Sequence, residues 1–299
     1  MRRPDFLVVG AARSGTTTLH SYLRQHPEIF LPKVKEPCFF VFEGEGEKYV
    51  KGKFAFATRH FEEYKLLFNR AEEHQKTGEM STPYLYKFEK TIATVKKYFP
   101  DFAETKIVIL LRNPVERAFS QYKWRVRDGR ELLSFEDAID AEANRMKENY
   151  SFDYFYVDRG YYFKQVKSYI ENFKNVKVIL FEDFNESPEK ELQAICNFIG
   201  VDDGFKFIRQ KKENASSVPK SKILGRMVTS ESSVKFRLWY AIPDAVRKKI
   251  RELFSEMNTK KGVRLELESA IREKLTQGYR DDILALEKLI NRDLSAWLK

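Results

Sequence analysis

Cysteine is scarce in this chain, with 2 among 299 residues, and the scarcity removes several classes of protein together. Cys38 and Cys196 lie in separate apolar segments without C-x-x-C spacing, so the sequence carries neither a disulfide scaffold nor a thiolate zinc site. Two buried thiols in a reducing compartment are expected, with a single disulfide as the other reading. Histidine is as sparse. His20, His26, His60 and His74 are all there are, none of them clustered with cysteine or carboxylates at metal-ligand spacing, so no metal is expected. No G-x-S-x-G nucleophile elbow occurs. Long apolar runs are also missing. The N-terminal FLVV is too short for a signal core, and no stretch approaches the roughly 18 residues a membrane span needs. A cytoplasmic chain without a membrane span is expected. Internal repeats and low-complexity tracts are absent as well.

What is present describes an ordinary globular protein: 42% hydrophobic and 33% charged residues. Aromatics make up 14%, including 25 Phe and 15 Tyr, which fits core filling and groove walls. The formal charge of +10 suits an anionic ligand. The basic residues are spread along the chain with no run that reads as a nucleic-acid arm, so nucleic acid is not the expected partner. The length admits one large α/β domain or two small ones; a single domain over residues 1–299 is expected.

Short apolar, β-branched segments alternate with helical periodicity. FLVV (residues 6–9) and KIVILL (106–111) read as buried strands, and VKVILFEDF as a further one running to Glu182 and Asp183. GEMSTPYLY reads as a short strand entering a proline turn. Helices are expected after the first glycine loop, around residues 60–69 and 91–98, from Asn113-Pro114 onward, through RGYYFKQVKSYIENF, and from Ser187-Pro188 to Gly200. Residues 43–60 read as an exposed glycine-rich loop, and 129–152 as a polar, partly helical insertion. The alternation argues an α/β fold: a P-loop-like, doubly wound parallel sheet flanked by helices. Residues 225–299 would form a mostly helical C-terminal cover on the same domain.

The sequence GAARSGTT (residues 10–17) has the frame of a nucleotide-binding P-loop, G-x-x-x-x-G-K-(S/T), between a strand and a helix. Its lysine slot holds Thr16, and Arg13 supplies a cation three positions earlier. Backbone amides of such a turn, with the helix dipole behind them, cradle an anion. The hydroxyls of Ser14, Thr16, Thr17 and Thr18 and the pliable Gly15 complete the cradle. The plainer reading is a glycine turn with threonine caps. A magnesium-dependent nucleotidase also needs a strand ending in Asp. KIVILL ends in Arg112 instead, although VKVILFEDF keeps that reading open. Two arginines in place of lysine and aspartate suggest a nucleotide-like anion held without magnesium.

In LRNPVERAFSQY (residues 111–122), Arg112 sits at the carboxyl end of a buried strand, where open α/β sheets place ligands. Ser120 lies about 10 Å into the following helix at 1.5 Å per residue. The pair can clamp a second phosphate; otherwise they are a capped surface arginine and a solvent-facing serine. In KEPCFF, Glu36 precedes an apolar Phe39-Phe40 pair, a setting suited to a general base. The alternative is a solvated charge run of Lys33, Lys35 and Glu36. Of the histidines, His20 and His26 lie nearest the glycine loop.

These three motifs together resemble the sulfotransferase family that uses 3′-phosphoadenosine-5′-phosphosulfate (PAPS). The resemblance is to its carbohydrate, heparan-type branch and bacterial relatives more than to the phenol and steroid branch. Residues 13–17 match the 5′-phosphosulfate loop (K/R)-x-G-T-(T/S), and residues 111–122 match the 3′-phosphate motif L-R-(N/D)-P-x-x-R-x-x-S-x-Y. Residues 36–40 match E-x-x-F-F, whose Glu is the family's catalytic base. GEMSTPYLY resembles the segment lining the acceptor, which implies acceptor-side roles for Met80, Thr82 and Tyr84. RGYYFKQV resembles a helix start near the adenine, implying Tyr162, and NASSVPKSK a closing loop, implying Lys220. The ending DDILALEKLINRDLSAWL is similar to the tails of bacterial members. Met80 stands where heparan-type members carry a lysine, and Arg13, unable to act as an acid, would work electrostatically.

The resemblance implies sulfuryl transfer from PAPS to an acceptor hydroxyl or amine, with a carbohydrate acceptor first and a small natural-product or lipid-linked alcohol second. Glu36 and Arg13 would be the catalytic residues. A P-loop kinase or nucleotidase, and a non-catalytic PAPS- or nucleic-acid-binding module, are the readings from other classes.

Overall fold

FLVVG and KIVILL carry apolar residues at consecutive positions, so both faces of each strand need cover, as in a parallel sheet between helical layers. A computed structural model of the chain describes residues 4–44, 48–52, 54, 56–208, 218–219, 259–260 and 265–299. It contains a five-stranded sheet of β1 (Phe6–Gly10), β2 (Ile29–Phe30), β3 (Lys76–Met80), β4 (Lys106–Leu111) and β5 (Val176–Leu180). The strand order is β2-β3-β1-β4-β5, with every pairing parallel. Helices link the strands: α1 (Thr16–Leu23), α2 (Phe39–Phe42), α3 (Phe61–Leu66), α4 (Pro83–Tyr86), α5 (Phe88–Tyr98), α6 (Pro114–Arg127), α7 (Phe135–Asp140), α8 (Glu142–Lys147), α9 (Tyr162–Asn172), α10 (Phe181–Glu186), α11 (Pro188–Ile199) and α12 (Ser269–Ile290).

Alternation along the strands sorts side chains to two faces. Leu7, Val9, Ile107, Ile109 and Leu111 enter one apolar cluster, covered by Ile92 and Val95 of α5, Val166 and Tyr169 of α9 and Tyr279 and Ile283 of α12. Phe6, Val8, Val108 and Leu110 enter the other, covered by Leu19 and Leu23 of α1 and Leu192 and Ile195 of α11. The doubly wound α/β fold read from the sequence is the fold of the chain.

The topology fixes where a ligand can sit. From β1 the chain departs toward β2 and β3; from β4 it departs toward β5 on the other side. The crevice opened by this divergence lies at the carboxyl ends of β1 and β4, the switch point of a doubly wound sheet. GAARSGTT leaves β1 there, and LRNP leaves β4 beside it.

Several segments differ from their sequence reading. VKVILFEDF ends as a strand at Leu180, and Phe181 begins α10. The Glu182 carboxylate accepts the Asn113 N–H at 3.1 Å and so secures the start of α6, while Asp183 pairs with Arg292. In GEMSTPYLY the proline opens a one-turn helix, α4, after β3. Within residues 43–60, Phe54 is buried and stacks on Phe42 at 4.7 Å and Phe152 at 4.8 Å, so this stretch is partly core. Residues 129–152 contribute α7, α8 and the buried Arg145–Glu131 ion pair. In the C-terminal cover, α12 docks on α9 through Asp282, which accepts the Tyr162 N–H at 2.7 Å. Lys220 lies outside the described residues.

β3 and β1 approach closely at Gly78, where an added Cβ would stand 2.1 Å from the Phe6 ring. Gly78→Ala is expected to destabilise the fold by about 1–3 kcal/mol through overpacking. The check is the midpoint of urea unfolding; an unchanged midpoint would mean that Phe6 moves aside freely.

Candidate active site

The loop after β1 is shaped by residues that tolerate a left-handed backbone. Gly15 has φ 86°, and a Cβ there would meet Phe181 at 2.9 Å, so only glycine suits. Arg13 shares that conformation at φ 69°, turning its neighbours' amides inward as in an anion-binding nest. Gly15 caps α1 without a side-chain hydrogen bond, which leaves the leading amides of that eight-residue helix for an external acceptor. Ser14 is wholly buried, and its Oγ has no hydrogen-bond partner among the described residues. An orphaned hydroxyl in such a cradle fits an anionic oxygen placed there. Thr16 is buried, and Thr17 and Thr18 are exposed at the mouth.

The second motif meets the first directly. Asn113 Oδ1 accepts the amides of Val115 at 2.9 Å and Glu116 at 3.3 Å and so starts α6; Pro114 follows at the first helical position. That start places Ser120 where its Oγ accepts from Arg13 Nε at 3.3 Å. Arg112 donates to the Arg13 carbonyl at 3.3 Å and lies over the Phe181 ring at 4.8 Å. Arg13 also faces Trp124 at 5.8 Å. Burial, then repulsion from Arg127 and Arg112, lowers the Arg13 pKa to about 10. Arg112 is lowered by burial too, with Glu116 and Glu182 opposing. Both stay charged at neutral pH, and their mutual repulsion is relieved by an anion between them.

Glu36 joins this edge from the segment between β2 and α2, beside the end of β3. Its φ of 61° is unusual for a side-chain-bearing residue, and its N–H donates to the Met80 carbonyl at 3.0 Å. Lys35 Nζ donates to Glu36 Oε1 at 3.1 Å, and Thr82 Oγ1 donates to Oε2 at 3.1 Å. The same Lys35 Nζ donates to Thr17 Oγ1 at 3.0 Å. The loop, Lys35, Glu36 and Thr82 form one chain of hydrogen bonds. The ring of residues behind it is tied down by Cys38 N–H to Ser81 Oγ at 3.0 Å and Phe40 N–H to Tyr84 Oη at 3.3 Å.

Other residues named from the sequence sit further back. Met80 packs in the apolar cluster shared with Val8 and reaches Glu36 only through its carbonyl. Tyr84 is wholly buried. Tyr162 is wholly buried as well, its hydroxyl unpartnered among the described residues and its pKa pushed up to about 12 by burial. His20 is buried, and burial followed by the charges of Lys35 and Arg24 lowers its pKa to about 4. It is therefore neutral at physiological pH. Among the described residues no group of three or more His, Cys, Asp or Glu could hold a metal ion, and no helix is long and apolar enough to cross a membrane.

Two residues escaped the sequence reading. Glu79, on β3, is buried among Tyr64, Tyr84 and Ser81, and its pKa is raised to about 7, chiefly by burial. Those three hydroxyls moderate the rise, although none completes a hydrogen bond of ordinary geometry. Its one sequence signal is a lone carboxylate at the end of a strand. Lys35 had read as part of a charge run, because its contact with Thr17 spans 18 residues and appears only on folding.

A five-stranded parallel sheet flanked by helices, with two arginine-bearing loops linked at its switch point, makes this an α/β protein of the doubly wound class. The profile described as the sulfotransferase family matches residues 4–204, and the chain belongs to that family. It is 34% identical over 147 residues to a membrane-associated sulfotransferase, kil1, of Dictyostelium discoideum, covering 47% of this chain and 28% of that protein. It is 26% identical over 200 residues to the heparan sulfate glucosamine 3-O-sulfotransferase 3A1 of Mus musculus, covering 66% of this chain and 46% of that one. The chain thus spans less than half the length of these two relatives. Among solved structures, a sulfotransferase from Alicyclobacillus acidocaldarius superposes with a TM-score of 0.75 at 32% identity, covering 100% of both chains.

His20 and Glu79 make opposite demands on pH. A His whose folded pKa is depressed from 6.5 to about 4 makes stability rise with pH across that window. A Glu raised from 4.5 to about 7 makes stability fall across nearly the same window. Glu79→Gln removes only the second contribution, so its unfolding free energy should climb from pH 4.5 to 7 more steeply than that of the unaltered chain. Chemical denaturation at stepped pH checks this; parallel profiles would show that Glu79 is not held protonated.

Proposed function

We propose that the chain transfers a sulfuryl group from PAPS to an acceptor hydroxyl, or amine, on a carbohydrate. The observation that carries the reading is the direct linkage of two cation-bearing motifs with a carboxylate beside them. Arg13 bonds Ser120, Arg112 bonds the Arg13 carbonyl, and Lys35 joins the loop to Glu36. When bound, the donor supplies an activated sulfuryl group on a 5′-phosphate, with a 3′-phosphate at a distance. The loop amides and the hydroxyls of Ser14, Thr16, Thr17 and Thr18 would hold the first anion, with Arg13 stabilising charge on the departing phosphate. Arg112 and Ser120 would hold the second. Tyr162 is assigned to the adenine end and Lys220 to closure over the nucleotide.

Glu36 takes the acceptor proton, and Thr82 orients its carboxylate. The acceptor lies on the side of Glu36 and Thr82, with Met80 and Tyr84 shaping the wall from behind. A sulfuryl group carries less charge than a γ-phosphoryl group, so positioning and fixed cations suffice without magnesium. The carbohydrate acceptor draws support from the heparan sulfate relative; a small natural-product or lipid-linked alcohol is the second reading. The two buried free thiols, Cys38 and Cys196, support a reducing, cytoplasmic setting.

Glu36→Gln should lower kcat by about 10² or more while leaving affinity for adenosine 3′,5′-bisphosphate intact; near-normal turnover would remove Glu36 as the base. Arg112→Ala should weaken that affinity, and an unchanged calorimetric value would sink the 3′-phosphate clamp. Tighter binding of magnesium-ATP than of adenosine 3′,5′-bisphosphate by the unaltered chain would return the protein to the nucleotidase reading.

A further inference from the structure

We infer that Lys35 is a catalytic residue whose ammonium meets the sulfuryl oxygens as the group passes from the donor loop to the acceptor. The inference rests on the donor and base proposed above and assigns a group that those motifs do not contain.

Lys35 Nζ lies 3.0 Å from Thr17 Oγ1 and 3.1 Å from Glu36 Oε1. Thr17 stands in the first turn of α1, at the open side of the amide cradle; Glu36 stands where the acceptor proton is taken. A group moving in line from one to the other passes beside Nζ. An ammonium has three N–H donors. Two are engaged here, and the third is left for an incoming oxygen. The side chain is 25% exposed, so its charge is partly desolvated yet reachable from the crevice. Neither neighbour can replace it. Met80 is uncharged and turned into the apolar cluster. His20, packed near Lys35, is neutral because burial and the Lys35 charge depress its pKa to about 4. Arg13 is engaged with Ser120. Among the described residues, Lys35 is the cation hydrogen-bonded to Glu36.

In the transfer, the bond between sulfur and the 5′-phosphate oxygen breaks, and its electron pair stays on that oxygen. The bond from sulfur to the acceptor oxygen forms, and the acceptor proton passes to Glu36. Lys35 stays protonated throughout. Its third N–H bonds a sulfuryl oxygen while the other two keep Thr17 and Glu36, so base and moving group share one fixed charge.

The test compares Lys35→Met and Lys35→Arg with the unaltered chain by calorimetry and kinetics. Without acceptor, Lys35→Met should bind PAPS about tenfold more weakly, the loss of one charged hydrogen bond. Its affinity for adenosine 3′,5′-bisphosphate, which lacks the sulfuryl group, should change less than about twofold, and this also shows that the variant is folded. kcat should fall by about 10² to 10³, as for loss of one oxyanion donor, with Lys35→Arg recovering part of both effects. Equal weakening of both nucleotides would make Lys35 a scaffold for the loop and overturn the inference. A kcat within about threefold of normal would overturn it as well. If the unaltered chain binds neither nucleotide, the proposed function itself fails, and the two failures are thereby distinguished.

Discussion

β1 and β4 lie side by side in parallel, Phe6 opposite Lys106 and Val8 opposite Val108, with helices closing both faces. Parallel strands bring their carboxyl ends to the same edge, so the loops leaving them share a crevice. Here those loops are GAARSGTT and LRNP. The hydrogen bonds from Arg13 to Ser120 and from Arg112 to the Arg13 carbonyl follow from that adjacency. Without it, a glycine turn and a capped helix would be two unrelated features about a hundred residues apart.

The crevice is assembled at an electrostatic and conformational cost. Arg13 and Arg112 crowd one another, and Arg117 and Arg127 add to the repulsion on Arg13. Arg13, Glu36 and Cys38 all adopt left-handed backbone angles, each unfavourable for a residue with a side chain. Ser14 and Tyr162 bury hydroxyls without partners among the described residues. Such features are tolerated where the surrounding fold over-determines them. They coincide here with the place where an anion would satisfy amides, hydroxyl and guanidinium together.

The carboxylate side depends on β3, which flanks β1 opposite to β4. Its Met80 carbonyl holds the Glu36 amide, and Thr82, just beyond it, holds the Glu36 carboxylate. Ser81 and Tyr84 fasten the backbone on either side of Phe39. A buried carboxyl, Glu79, sits beneath this arrangement among Tyr64 and Tyr84. Glu36 is therefore set by two neighbouring segments of backbone and not by its own rotamer preference. Such anchoring is what the base role proposed for Glu36 would require.

Much of this was legible in the sequence. Uninterrupted apolar strands between helical periodicities determined a parallel, doubly wound sheet, because only a strand covered on both faces can be apolar throughout. Asn113-Pro114 marked the start of α6 through capping chemistry that acts within a single turn, and Gly15 marked a left-handed turn for the same local reason. The glycine loop, Arg112 and Glu36 were visible as residue types in context. What local pattern could not carry was contact across the sheet. VKVILFEDF looked like a strand ending in acid, yet Glu182 was drawn into α10 to cap a neighbouring helix. Met80, adjacent to the site in sequence, was turned away by the pleat, whereas Lys35, which looked like solvated charge, was brought against Thr17 and Glu36. The sequence by itself determined the elements and the chemistry each could bring; the tertiary structure alone decided which side chains met, because strand order and the alternation of the pleat set those distances.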